Sequence, residues 1–152
     1  MGTPVVVGYD EQELEPVDLD RWVRLAQDVL VHEGAAEGEL ALLFVDEDTI
    51  ADLNAQHMGD AEPTDVLSFP IDAEGTDGGA ADGVPLLLGD VVVCPGVARR
   101  NAPGHAGSYE DELALLVVHG VLHVLGHDHA ARDEAAAMQQ RERSLLERFH
   151  QR

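Results

Sequence analysis

The stretch from His119 to His129, HGVLHVLGHDH, holds four of the eight histidines in the 152-residue chain. Residues four apart on an α-helix lie about 40° apart around its axis, so a helix through this stretch projects His119 and His123 side by side. Gly126 is a natural helix stop, after which the chain can double back and bring His129 to the same point from a third direction. Three neutral imidazoles with a fourth position left open describe a catalytic zinc site, with one ion expected per chain. His119 is the ligand expected to stand nearest the chemistry.

The same spacing matches the metzincin protease pattern H-E-x-x-H-x-x-G-x-x-H at every position except the glutamate, which here is Gly120. Glycine has no group to take a proton from water, so peptide hydrolysis is disfavoured. Met138 does not supply the methionine turn of those proteases, because AAAMQQRE is helical in pattern and places it in a core. Asp128 is a candidate to orient a ligand imidazole from behind. His127 reads as a solvent-side residue, since a fourth protein ligand would close the site.

Working outward, PVVVGY reads as a first strand, and Asp18 or Asp20 caps a helix to about Glu33 with Trp22, Leu25, Val29 and Leu30 on one face. ELALLFVD is a buried strand. Asp46 then caps a short helix carrying Ile50, Leu53 and His57. PTDVLSFP, from Pro63 to Pro70, is an apolar strand between prolines, with Thr64 and Asp65 at its entrance as candidate substrate contacts. LLLGDVVVCP returns to strand and GVARRNA gives one or two helical turns. Ser108 and Asp111 start the metal-site helix, Tyr109 to Leu125. A last helix runs from about Asp133 to His150. The Asp-, Gly- and Ala-rich segment 72–85 reads as a flexible acidic loop rather than a domain linker. Strands and helices mix without a clean βαβ alternation, so the expectation is one α+β domain over residues 1–152, a small mixed sheet packed with helices.

The formal charge of −21, with nine arginines and no lysine, argues against nonspecific binding to nucleic acid or anionic lipid, because phosphates are repelled at long range. Arg99 and Arg100 are the adjacent basic pair in this acidic chain and are candidate phosphate contacts. Cys94 is the lone cysteine, so no intrachain disulfide forms. The N-terminus lacks the features of a signal peptide, Val6 breaks the myristoylation pattern, and the apolar run LALLVVHGVLHVLG is too short to span a bilayer. A soluble, cytoplasmic protein without membrane partners is expected.

Taken together, HGVLHVLGHDH, PTDVLSFP and LGDVVVCP (Leu88 to Pro95), in this order, resemble the YbeY family of bacterial single-strand endoribonucleases. The resemblance extends over nearly the whole chain. It implies a zincin-like α+β fold, one Zn²⁺ held by His119, His123 and His129, and a role in ribosomal RNA maturation, including processing of the 16S 3′ end, and in ribosome quality control. The partners it implies are single-stranded ribosomal RNA, the small ribosomal subunit with its proteins, and a ribosome-assembly GTPase. Many members carry an arginine after an aromatic residue where this chain has His57 and Met58, and a tyrosine where it has His127. No phosphate-binding arginine is therefore carried over. The rival readings are a non-catalytic, zinc-containing ribosome-assembly factor and a peptidase.

Overall fold

In the computed structural model, residues 3–35, 37–59, 64–70, 87–126 and 132–150 are described. The 72–85 segment and residues 127–129 lie outside them. Alternation of apolar side chains along the strands decides the architecture. The strands are β1 (Val5–Asp10), β2 (Glu39–Phe44), β3 (Val66–Pro70) and β4 (Leu87–Val93), arranged β1-β2-β4-β3. β1 and β4 run parallel to β2, whereas β3 runs antiparallel to β4 and forms an edge. Leu40, Leu42 and Phe44 of β2 and Val91 and Val93 of β4 point to the larger core. The intervening Leu43, Val92 and Cys94 point to a smaller core with Ile50, Leu67 and Val97.

The helices divide between these faces by the same logic. α1 (Leu19–His32) buries Trp22, Leu25, Ala26, Val29 and Leu30, and its N-cap Asp18 accepts from the Arg21 N–H. α2 (Glu47–Met58) is capped by Asp46, whose carboxylate accepts from the Thr49 N–H at 2.8 Å. Hydrogen bonding by the Thr49 side chain first, and then by its N–H, holds the Asp46 carboxyl below the usual aspartate range. α2 contributes Ile50 to the smaller core, which α3 (Pro95–Asn101) joins through Val97. α4 (Tyr109–Val124) starts where Ser108 Oγ accepts from the Asp111 N–H. α5 (Arg132–Phe149) lies against α4 and α1, burying Met138 and Leu145.

The element order agrees with the sequence reading. One connection is more regular than expected: β1, α1 and β2 form a parallel βαβ crossover. The expectation of no clean alternation holds only for the second half, where α2, β3 and β4 follow a different path.

α4 is the central helix. Leu113, Leu116, Val117, Val118, Val121 and Leu122 are all buried, which at about 1.5–3 kcal/mol per large apolar side chain far outweighs any surface ion pair. Gly120 sets its distance from the sheet. A Cβ there would stand 2.4 Å from Val91 Cγ1 and 3.2 Å from Val91 Cγ2, and Ser68 Oγ of β3 donates to the Gly120 carbonyl at 3.2 Å.

This contact gives a direct test. Alanine at 120 gains up to about 1 kcal/mol of helix propensity, but it must displace a fully buried, β-branched neighbour that has little rotamer freedom. Overpacking of this kind costs about 1–3 kcal/mol and should win. Gly120→Ala is expected to lower the melting temperature by a few degrees, at roughly 2–4 °C per kcal/mol for a chain of this size. An unchanged or raised melting temperature would contradict the close approach.

Candidate metal centre

His119 and His123 stand on successive turns near the C-terminal end of α4, their ring centroids 4.7 Å apart and the rings inclined at 61°. α4 ends at Val124 with Leu125 as its C-cap, and Gly126 follows with φ +100°, a backbone angle that favours glycine. The turn expected there is therefore present. His129 and Asp128, the expected third ligand and supporting carboxylate, lie outside the described residues, as does His127. Among the described residues, no three potential ligands converge.

What supports a metal is the donor chemistry of His119. Its Nδ1 is hydrogen-bonded to Glu142 Oε2 of α5, a carboxylate on a residue only 6% exposed. A carboxylate accepting at Nδ1 fixes the proton there and leaves Nε2 as the nitrogen suited to a metal, which is the usual second layer behind a zinc-bound imidazole. The residues present fit zinc.

Glu142 was not singled out from the sequence. A signal was available: it falls on the apolar stripe of α5 with Met138, Leu145 and Phe149, where a charge needs a partner. Met138 takes the core role expected of it, at 3% exposure.

Position 120 is packed against the sheet. Its space belongs to Val91 and Ser68, so the side chain that serves as base in the protease pattern has no room here. The difference from the proteases lies in how helix and sheet pack, as well as in the residue type.

A groove of about 380 Å³ runs beside His119, lined by Asp65 and Val66 at the start of β3, by His105, and by Arg143 and Gln139 on α5 among others. Asp65, a candidate substrate contact in the sequence, lines this groove, and its carbonyl accepts from the Cys94 N–H at 2.9 Å. Thr64 is half-buried beside it. Arg99 and Arg100 are not among the groove's lining residues. Arg99 pairs with Glu15 at 2.5 Å and stacks on the Tyr109 ring at 4.0 Å, and Arg100 pairs with Glu47 at 2.5 Å. Burial, with Glu15 nearby, pushes the Tyr109 hydroxyl up to about 12, and it donates to the Pro16 carbonyl at 2.8 Å. Cys94 is fully buried and its thiol is pushed up by that burial, which leaves it unreactive.

Opposite Glu142, a second histidine–carboxylate pair was also missed by the sequence reading. Glu112 is fully buried, and its oxygens bond His105 Nδ1 at 2.8 and 3.0 Å and accept from the Ala106 N–H at 3.0 Å.

Comparison with known proteins bears on this arrangement. Residues 8–150 match the family described as Endoribonuclease YbeY. An endoribonuclease YbeY of Thermobifida fusca is 44% identical over 135 residues, covering 86% of this chain and 85% of that protein. One of Salinispora tropica is 46% identical over 128 residues, covering 80% and 82%. One of Mycolicibacterium smegmatis is 43% identical, covering 93% and 78%. The solution structure of TM1509 from Thermotoga maritima superposes with a TM-score of 0.58 at 23% identity, covering 95% of this chain and 91% of that one, and supports the fold alone. The chain, matched over nearly all its length, belongs to the YbeY endoribonuclease family.

Proposed function

We propose that this protein is a zinc-dependent endoribonuclease that cuts single-stranded regions of ribosomal RNA in the cytoplasm, in maturation of the small subunit, including the 16S 3′ end, and in ribosome quality control. The observation that carries this reading is the pair His119 and His123 on one face of α4, with His119 braced by the buried Glu142 at the mouth of a groove. Zinc held by His119, His123 and His129 supplies Lewis-acid stabilisation of charge developing on the phosphodiester. Glu142 sets the tautomer and orientation of His119, and Asp128 is proposed to do the same for a neighbouring imidazole. Gly120 contributes no base, which suits a phosphodiester and fails a peptide bond. Asp65 and Thr64 line or approach the groove from β3 and are proposed to contact the strand. Arg99 and Arg100 serve as RNA contacts only by releasing Glu15 and Glu47.

The net charge of −21 keeps free RNA at a distance, so selection of the target is assigned to docking on the small ribosomal subunit and its proteins, with a ribosome-assembly GTPase as a further partner. Among the described residues, no helix is long and apolar enough to cross a membrane.

Two experiments follow. In zinc competition against a chelator, Glu142→Ala should weaken affinity by about 10–100-fold, the usual cost of losing a group behind a ligand. His123→Ala should abolish tight binding, and His127→Ala should leave it nearly intact. Equal loss from the last two variants would refute the three-histidine assignment. In parallel cleavage assays, zinc-loaded protein should cut single-stranded RNA and spare both duplex RNA of the same sequence and casein, with activity falling to background in His123→Ala. Casein cleavage at a comparable rate would overturn the nuclease reading.

A further inference from the structure

We infer that His105 and Arg143 form a second phosphate subsite in the groove, which holds the RNA strand at a phosphate beyond the one being cut. The inference rests on the endoribonuclease reading above. Both side chains line the groove that contains His119. Glu112, which anchors His105, lies seven residues before His119 on α4. Seven residues turn a helix almost back to the same direction and advance it by about 10 Å. The points on α4 from which the two imidazoles are held are thus farther apart than one phosphate can bridge, so the two rings would meet different phosphates of one strand.

His105 has the build of a functional imidazole. The Ala106 N–H reaches Glu112 Oε1 and His105 Nδ1 satisfies the buried Oε2, yet the His105 side chain is 58% exposed, so the rest of the ring is open to the groove. With Nδ1 held by the Glu112 carboxylate, the ring is fixed, and in its protonated form it presents Nε2–H as the donor for a phosphate oxygen. This is the same carboxylate–imidazole device that braces His119.

Arg143 differs from three of the other arginines in its surroundings. Arg99, Arg100 and Arg141 are paired with Glu15, Glu47 and Glu33. Arg143 is exposed and has no carboxylate within ion-pair distance among the described residues. Of the carboxylates in or behind the groove, Glu142 is engaged by His119 and Glu112 by His105 and Ala106. Asp65 stands at the β3 side. A guanidinium and an oriented imidazole lining one groove, with Val66, Leu115, Leu116 and Met138 also on its walls, suit a phosphate of a bound strand. They also place an arginine in the site by a route other than position 58.

The test is cleavage of single-stranded oligoribonucleotides from two to eight nucleotides long by zinc-loaded wild type, Arg143→Gln and His105→Gln, with zinc content measured for each. Wild-type kcat/KM should rise as the substrate extends past the cleaved bond. Arg143→Gln should lose most of that rise, roughly tenfold for one charge-assisted hydrogen bond, at unchanged zinc content. Its slope of log kcat/KM against log salt should be about 0.7 more positive than that of wild type, because one fewer phosphate is neutralised on a single strand. His105→Gln should lose the same rise. If that variant fails to fold for want of a partner to Glu112, Arg143→Gln alone decides. Equal loss at every length would move Arg143 to the cleaved phosphate and overturn the subsite, as would no loss at any length. If wild type cuts none of the oligonucleotides, the nuclease reading falls and takes this inference with it.

Discussion

The structure turns on how closely α4 lies on the sheet at Gly120. With Val91 Cγ1 2.4 Å from where a Cβ would be, helix and sheet meet nearly backbone to side chain. Ser68 of the edge strand then reaches the Gly120 carbonyl. Residues 116, 117, 120, 121 and 124 are turned inward by this contact. His119 is left on the flank, facing Glu142 of α5 and the groove, with the His123 ring beside it. The placement of His119 and His123 and the absence of a protease-type base therefore have one cause. The position that would carry the base is the one that must be empty for the helix to seat.

The second dependence runs through α5. A histidine on a helix flank is free to rotate; a metal ligand has to be held. Glu142 holds His119 because Met138 and Leu145, four residues before it and three after, are buried against α4 and α1 and fix the face that α5 presents. Packing of an apolar stripe thus sets the orientation of an imidazole two elements away. Glu112 holds His105 by the same kind of bond that joins Glu142 to His119, and both histidines line the groove. The strong negative charge elsewhere makes these few positive or proton-donating groups more distinctive, since Arg99, Arg100 and Arg141 are tied to glutamates.

Local signals made much of this legible in the sequence. Asp18, Asp46 and Ser108 each announce a helix start through side-chain chemistry that acts within three residues. The four-residue spacing of His119 and His123 fixes their neighbourhood by helix geometry alone. Strand identity followed from β-branched runs bounded by turn residues. What was not legible depends on contacts far apart in the chain. Glu142 meets His119 across 23 residues, and nothing local distinguishes it from other surface glutamates except its place on an apolar stripe. The ion pairs that occupy Arg99 and Arg100 join residues 84 and 53 positions apart, which is why two paired arginines read as available ones. The parallel β1-α1-β2 unit was also hidden, because pairing of β2 with β4 is set by burial on both faces rather than by any motif.

The central claim is that three imidazoles from one helix and the turn after it hold a zinc ion with one position open. Zinc-edge X-ray absorption on the loaded protein measures this directly. The predicted result is a four-coordinate ion with three imidazole nitrogens at about 2.0–2.1 Å and one lighter, exchangeable oxygen. A sulfur scatterer at about 2.3 Å would place the metal at Cys94 and contradict the account. A fourth imidazole would contradict it equally, by closing the position at which the substrate is to be met.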